Sequence, residues 1–244
     1  MKVANRAEFS VLPNEKRIEI FKAETRTTKP VICVWNCPSS EEISQPRNGS
    51  HSDDFWLLYQ GTIVPQRLPC SVIDALASLP PNVKLRIIGY ETIGHQGYVE
   101  SLQQRALALR VHDRVEFLGA IPQRSAMLEW AKRCDAGLAL MPRTSDDLNL
   151  VVMVGASNKP FDYISAGLSL IVSGLPDWRA TFVEQGLALE CDNDDPASIA
   201  SAVLQLIEKP NRRRQMSSRG LRKLLKAWNY EMQFRPVIKL LSDE

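Results

Sequence analysis

The chain predicts a parallel α/β fold, a sheet flanked by helices, and three observations carry that prediction. From Phe55 onward, short apolar runs alternate with helical segments at a regular spacing. The runs are mostly apolar, which suits buried strands. Most of them close on glycine or proline, at Gly61, Gly89, Gly119 and Pro142, where the chain turns away from the sheet. Such alternation builds right-handed βαβ units. Ligands then bind beyond the carboxyl ends of the strands, so functional residues are sought just after each one.

Residues 1–38 are mixed and polar. VLPNEKRIEIFKAETR reads as a short strand and a helix, and Lys29 to Trp35 (KPVICVW) as a strand closed by Asn36-Cys37-Pro38. Ser39 to Asp54, rich in Ser, Pro, Asn, Gly and acid, reads as a linker. The regular pattern fills 55–244. FWLLYQG is a strand, Ser71–Ser78 a helix, and KLRIIG a strand ending at Gly89. Tyr98–Leu109 is an amphipathic helix, RVEFLG a strand, Ser125–Arg133 a helix and AGLALMP a fourth strand. A small-residue loop, Gly155-Ala156-Ser157, precedes a short helix from Asn158 to Ala166. Gly167 ends that helix, as glycine does just past a helix, and Leu168–Val172 is a further buried strand. Helices over Ala197–Glu208, Arg212–Trp228 and Tyr230–Leu241 complete the chain.

A length of 244 residues suits one large domain, or one and a half. With 44% hydrophobic and 24% charged residues the composition is ordinary for a soluble domain, and a net charge of +2 gives no reason to expect nucleic acid as a partner. No run of eighteen apolar residues occurs, and MKVANRAEFS is not a signal peptide, so a cytoplasmic location is expected. The five cysteines are scattered. Cys33 and Cys37 lack a second Cys or His pair to complete a zinc site, so reduced thiols are expected. Asn48-Gly-Ser is a glycosylation sequon on paper only. His51, His95 and His112 lie in polar segments, none placed for proton transfer.

The most informative stretch is Val154 to Pro176. Small residues allow a ligand close to the backbone, and a helix start offers free N–H groups and partial positive charge to an anion. Lys159 falls in the first helical turn, where the helix dipole disfavours a cation, a placement that an anion would balance. Asp162 lies on the same face and is able to accept hydrogen bonds from ribose hydroxyls. The plainer alternative is a surface helix with both side chains solvated.

NKPFDYISAGLSLIVS resembles the donor-site segment of glycosyltransferase family 4, the retaining glycosyltransferases of the GT-B fold, in which it often reads NK-x-F-E-Y-x-A-x-G-x-P-[LV]-[IV]. The resemblance runs from about Phe55 to Leu240, with several motifs in the family's order. It implies the C-terminal half of a GT-B fold, a Rossmann-like domain holding a nucleoside-diphosphate sugar, with polysaccharide biosynthesis as the implied setting. Relatives often have G-R-L-x-x-x-K-G after the first strand, with arginine and lysine on the donor diphosphate. Here Thr62 holds the arginine position and Arg67 the lysine position. Tyr90 stands near the expected nucleotide, as a base support or an ordinary surface tyrosine. Leu118 to Pro122 matches the segment F-x-G-x-[VI]-x, so the backbone around Gly119 is expected to meet the base and Ile121 to pack on it.

Many relatives carry two glutamates eight positions apart, the second on the ribose. Asp162 takes the place of the second, while the first falls on Val154, a departure. Asn149 and Ser157 are the polar candidates for the sugar, and the Gly155–Ser157 backbone for the phosphate or sugar. No metal or cofactor beyond the nucleotide-sugar is expected, and no catalytic residue is identified. The resemblance makes residues 1–38 the remnant of an N-terminal GT-B domain, 39–54 a linker and 55–244 the donor-binding domain. An acceptor-binding domain or chain is implied as partner. Three readings remain open: a donor-binding half from a larger glycosyltransferase, one chain of a two-chain enzyme, or a non-catalytic nucleotide-sugar-binding module. Lys209 to Lys226 holds eight basic residues and no acid, a stretch able to lie on an anionic membrane surface or to pack its arginine stems on the domain.

Overall fold

The computed structural model describes residues 3–44 and 53–242. The middle of the expected linker, with the sequon at Asn48 and His51, lies outside the described residues. Six parallel strands form the main sheet: β3 (Phe55–Thr62), β4 (Val83–Tyr90), β5 (Val115–Gly119), β6 (Ala136–Ala139), β7 (Ser169–Ser173) and β8 (Ala188–Cys191), which follow a small parallel pair, β1 (Ser10–Leu12) and β2 (Val31–Cys33). Helix α1 (Glu15–Thr25) joins that pair. The helices of the main domain are α2 (Ser71–Ser78), α3 (Tyr98–Ala108), α4 (Arg124–Ala131), α5 (Leu148–Val151), α6 (Lys159–Ser165), α7 (Pro176–Trp178), α8 (Pro196–Glu208), α9 (Pro210–Lys226) and α10 (Tyr230–Ser242).

The strand β8 was not expected from sequence. At four residues, with Glu190 exposed between buried neighbours, it is too short to show a period. Helix α6 is one residue tighter at each end than expected, and β7 runs one residue further along than the apolar run.

The sheet has the order β5-β4-β3-β6-β7-β8. It separates two apolar layers. One holds Val72, Leu76, Leu102 and Val203 of α2, α3 and α8, and the other Met127, Phe161, Trp178 and Phe182. The chain leaves β3 in one direction through β4 and β5, then returns to place β6 on the other side of β3. That reversal is a topological switch point, where doubly wound sheets open a crevice.

The crevice has a visible cause. β3 pairs with β4 over eight residues, from Phe55↔Val83 to Thr62↔Tyr90, but with β6 only at Leu57↔Ala136 and Leu58↔Gly137. Beyond that point the Tyr163 hydroxyl stands between the strands, accepting from the Gln60 N–H at 2.9 Å and donating to the Leu138 carbonyl at 3.3 Å. A Cβ on Gly137 would come within 2.3 Å of the Tyr163 ring, so glycine is what lets α6 approach this closely. The phenol thus satisfies backbone groups that a continued ladder would have paired.

The N-terminal segment docks on this domain. The Trp35 ring packs 5.8 Å from both Phe161 and Trp228. It lies over Gly155, where a Cβ would meet Trp35 Cδ1 at 2.6 Å. The Asn36 N–H donates to the Gly155 carbonyl at 2.7 Å. Asn14 caps α1 and donates its amide to the Val154 carbonyl. Helix α10 closes the other side, with Gln233 accepting from the Trp35 N–H at 3.0 Å.

The basic helix α9 buries Met216, Gly220, Leu221 and Leu224, and Arg213 and Lys223 lie over the rings of Phe55 and Trp228. For those two residues the packed-stem alternative describes what is seen. Among the described residues no helix is long and apolar enough to cross a membrane. Cys33, Cys37, Cys70 and Cys191 are free thiols.

Candidate functional site

A cavity of about 700 Å³ opens at the carboxyl ends of the strands, on the β3 side of the switch point. That volume is ordinary for a small-molecule site. Its wall follows the strand order. After β4 and β5 it is apolar, with Ile88, Ile121, Pro122 and Met127, and with Tyr90 at the rim. Across the end of β3 it is formed by Gln60, Gly61, Thr62 and Arg67. Beyond the switch point it continues through Ala156, Ser157, Asn158 and Lys159 to Asn149, Met153 and Arg17.

Lys159 is the first residue of α6, and its side chain passes under the end of β3. A Cβ on Gly61 would lie 2.6 Å from Lys159 Cε, and Gly61 has a φ of +118°, so both space and backbone conformation call for glycine there. The ammonium lies 4.5 Å from the centre of the Tyr59 ring and donates to the Tyr59 hydroxyl at 3.2 Å. The tyrosine hydroxyl in turn donates to the Thr62 carbonyl. Only 4% of Lys159 is exposed. Burial, helped by the positive charge of Arg67, lowers its pKa to about 7. In the loop after β3, Arg67 Nη1 approaches Thr62 Oγ1 at 3.4 Å.

From α1, Arg17 reaches in over the far end. Its Nε donates to the Val152 carbonyl at 2.9 Å and its Nη2 to the Asn149 carbonyl at 3.1 Å. Among the described residues the wall therefore carries three cationic side chains, Arg17, Arg67 and Lys159, and no Asp or Glu. None of the three forms an ion pair among the described residues. The arrangement suits a ligand with a flat apolar end and a polyanionic body.

The sequence profile of the family described as glycosyl transferases group 1 matches residues 40–223. The chain belongs to that family. Solved structures share the fold of this group 1 domain. HepE from Anabaena, in complex with UDP-glucose, superposes with a TM-score of 0.76 at 16% identity, over 100% of this chain and 66% of HepE. The C-terminal domain of a group 1 family glycosyl transferase, LpcC from Francisella tularensis, gives 0.59 at 13% identity, over 79% of this chain and 95% of that one. A chain of the GtfA/B complex gives 0.67 at 14% identity, over 99% of this chain and 46% of that one. The chain thus spans about two thirds of the length of HepE. No curated protein sequence matches it.

Of the site residues expected in this group 1 domain, Thr62, Arg67, Ile121, Ser157 and Lys159 line one cavity, together with Tyr90 and Asn149. Three lie outside the lining. Gly119 ends β5 in a left-handed turn, with φ +68°, and delivers Ala120 to Pro122 to the wall without touching it. Gly155 is covered by Trp35, so its backbone is taken by the N-terminal segment. Asp162 is fully buried under the cavity floor.

The Asp162 carboxylate accepts from Arg124 at 2.6 Å, from the Gln60 amide at 2.8 Å and from the Asn158 amide at 3.1 Å. Burial pushes its pKa up, while Arg124 pulls the other way. Arg124 also binds Glu42 at 2.6 Å, which ties the start of the expected linker to the floor of the site.

Sequence reasoning missed Arg17, Gln60, Arg124 and Tyr163. Gln60 carried a signal, as a polar residue inside the otherwise apolar run FWLLYQG. Tyr163 sat in the recognised segment but showed no sign of reaching the sheet. Arg17 is 135 residues away from the Val152 carbonyl it binds, and no local pattern marks it.

Proposed function

We propose that the chain binds a nucleoside-diphosphate sugar and serves as the donor-binding half of a glycosyltransferase. The observation that carries this is the cavity at the switch point, whose wall holds three cations and no acid beside an apolar end. Membership of the group 1 family supports it. So does the likeness in fold to HepE, which was solved with UDP-glucose. The base packs against Ile121 and Pro122, and the diphosphate spans Thr62, Arg67 and Lys159. The sugar lies past the switch point toward Ser157 and Asn149.

The chemistry asked of these residues is to hold the donor and to stabilise charge on the departing diphosphate. Cations fixed before the reaction do this without reorganisation. Lys159 is fixed by Tyr59 and Gly61, and Arg67 is a guanidinium able to fork onto phosphate oxygens. Side-chain cations meet the diphosphate charge, so no metal is required. Asp162 acts as a positioning residue. It orients the Gln60 and Asn158 amides, which line the cavity, and so reaches the ribose side of the ligand through them.

The acceptor is held by polypeptide beyond this chain, in a further domain or in a partner chain. That the chain spans about two thirds of HepE, and that one of its fold relatives belongs to a complex, supports this. Transfer retains the anomeric configuration, as the resemblance to family 4 implies, and an inverted first product in proton NMR would contradict that.

Calorimetric titration of the chain with UDP, GDP and ADP tests the reading, repeated on Lys159→Ala and Arg67→Ala. One nucleotide should bind, and each substitution should weaken it by about tenfold or more, the worth of a hydrogen bond to a charged group. Absence of binding by all three, or variants that bind as tightly as the parent, would overturn it.

A further inference from the structure

Resting on the proposed donor site, we infer that the donor sugar carries a carboxylate, as a uronic acid does, and that Arg17 is the residue that selects it. A charge count leads there. The diphosphate of a nucleotide-sugar carries two negative charges, and Arg67 and Lys159 flank the place where it would lie. Arg17 is a third cation on the same wall, and among the described residues no carboxylate lines that wall to balance it.

The strand order fixes which part of the ligand Arg17 would meet. Along the mouth of the cavity the apolar wall lies over β4 and β5, and the β3 end carries Thr62 and Arg67. Arg17 stands on the far side of the switch point, with Asn149 and Met153. A ligand laid base-first over the apolar end and phosphates across β3 brings its sugar to that side.

The guanidinium is held in place before any ligand arrives. Nε donates to the Val152 carbonyl and Nη2 to the Asn149 carbonyl and the Met153 sulfur, while Nη1 bonds to no described residue. The charge of Asp147 reaches Arg17, but the Asp147 side chain caps α5 by accepting from the Asn149 N–H at 2.8 Å and makes no ion pair with Arg17. A half-buried guanidinium already oriented, with no carboxylate partner, loses little on meeting an anion and gains a charge-assisted bond. Nη1 keeps its donors for a carboxylate oxygen, a charge-assisted hydrogen bond. A neutral hexose offers only hydroxyls at this end, where Arg17 gives donors and no acceptor.

The test compares matched donors on the base that the chain prefers among UDP, GDP and ADP: UDP-glucuronate against UDP-glucose, GDP-mannuronate against GDP-mannose, or ADP-glucuronate against ADP-glucose. The chain should bind the uronate about tenfold to a hundredfold more tightly, the range of a charge-assisted hydrogen bond. In Arg17→Gln that ratio should fall to about one, and in Arg17→Lys it should stand between the two. A parent chain that binds the neutral sugar as tightly as the uronate would overturn the inference and leave the donor site standing. An Arg17→Gln variant that weakens both donors equally would also overturn it, making Arg17 a brace for the 149–153 segment. Absence of binding by every nucleotide would remove the donor site itself.

Discussion

Raising the pH should weaken nucleotide-sugar binding through Lys159, and the size of the effect follows from its surroundings. In the ligand-free chain burial holds this amine at a pKa of about 7, against an ordinary 10.5. A diphosphate beside it restores the charged form, so the complex takes up a proton that the free chain lacks above pH 7. If the bound amine returns toward its ordinary value, the dissociation constant should rise about 25-fold between pH 6.5 and pH 8.5. A nucleoside-diphosphate sugar is the right probe, because its diphosphate is esterified at both ends and each phosphate stays singly charged across this range. Calorimetry in buffers of differing ionisation enthalpy should also detect the proton taken up.

Stability should move the opposite way. The unfolded lysine keeps a pKa near 10.5, so between pH 7 and 10.5 the unfolded chain binds more protons than the folded one, and the Lys159 contribution rises with pH. Below pH 7 the cost of burying the charge is present in full. Lys159→Gln should flatten both dependences. A dissociation constant that changes by less than twofold over the interval, or a slope that survives in Lys159→Gln, would refute the assignment of the diphosphate to this amine.

Three further substitutions probe the supports of the site. Gly61→Ala places a Cβ 2.6 Å from Lys159 Cε at a φ of +118°, and should cost about 1–3 kcal/mol in urea denaturation while loosening nucleotide binding. Tyr163→Phe leaves the Gln60 N–H and the Leu138 carbonyl without their shared partner at the switch point. It should cost about 1–3 kcal/mol, read from the same transition. Asp162→Ala removes the acceptor shared by Arg124, Gln60 and Asn158 and leaves Arg124 with Glu42 alone, so it should lower stability by about 1–3 kcal/mol as well as weaken nucleotide binding. A directly ribose-binding, otherwise idle carboxylate would lower affinity alone.

What the sequence disclosed and what it withheld divide along a physical line. Short, mostly apolar runs closed by glycine announced β3, β4 and β5, because burial of the strand and a turn at its carboxyl end each leave a local mark. The segment from Asn158 to Ser173 gave α6 and β7, and with them Lys159. Placement within that helix was harder to read. Lys159 and Asp162 lie on the same short helix, yet one amine passes into the cavity wall and the other side chain turns beneath the floor to Arg124. Three residues of spacing cannot tell these apart, since the difference is made by Gly61 on β3 and by Arg124 on α4. Gly155 shows the same limit. Its small size suggested a ligand close to the backbone, but the group that comes close is the indole of Trp35. Arg17 reaches the site only because Trp35, Asn14 and Gln233 dock the N-terminal segment, a contact between distant parts of the chain.

The most direct measurement is a crystal structure of the chain with a bound nucleotide-sugar. Phosphate oxygens should lie within hydrogen-bonding distance of Lys159 Nζ and the Arg67 guanidinium, with the base against Ile121 and the sugar on the Arg17 side of the switch point. A nucleotide bound elsewhere on the chain, or one whose phosphates avoid both Lys159 and Arg67, would contradict this placement.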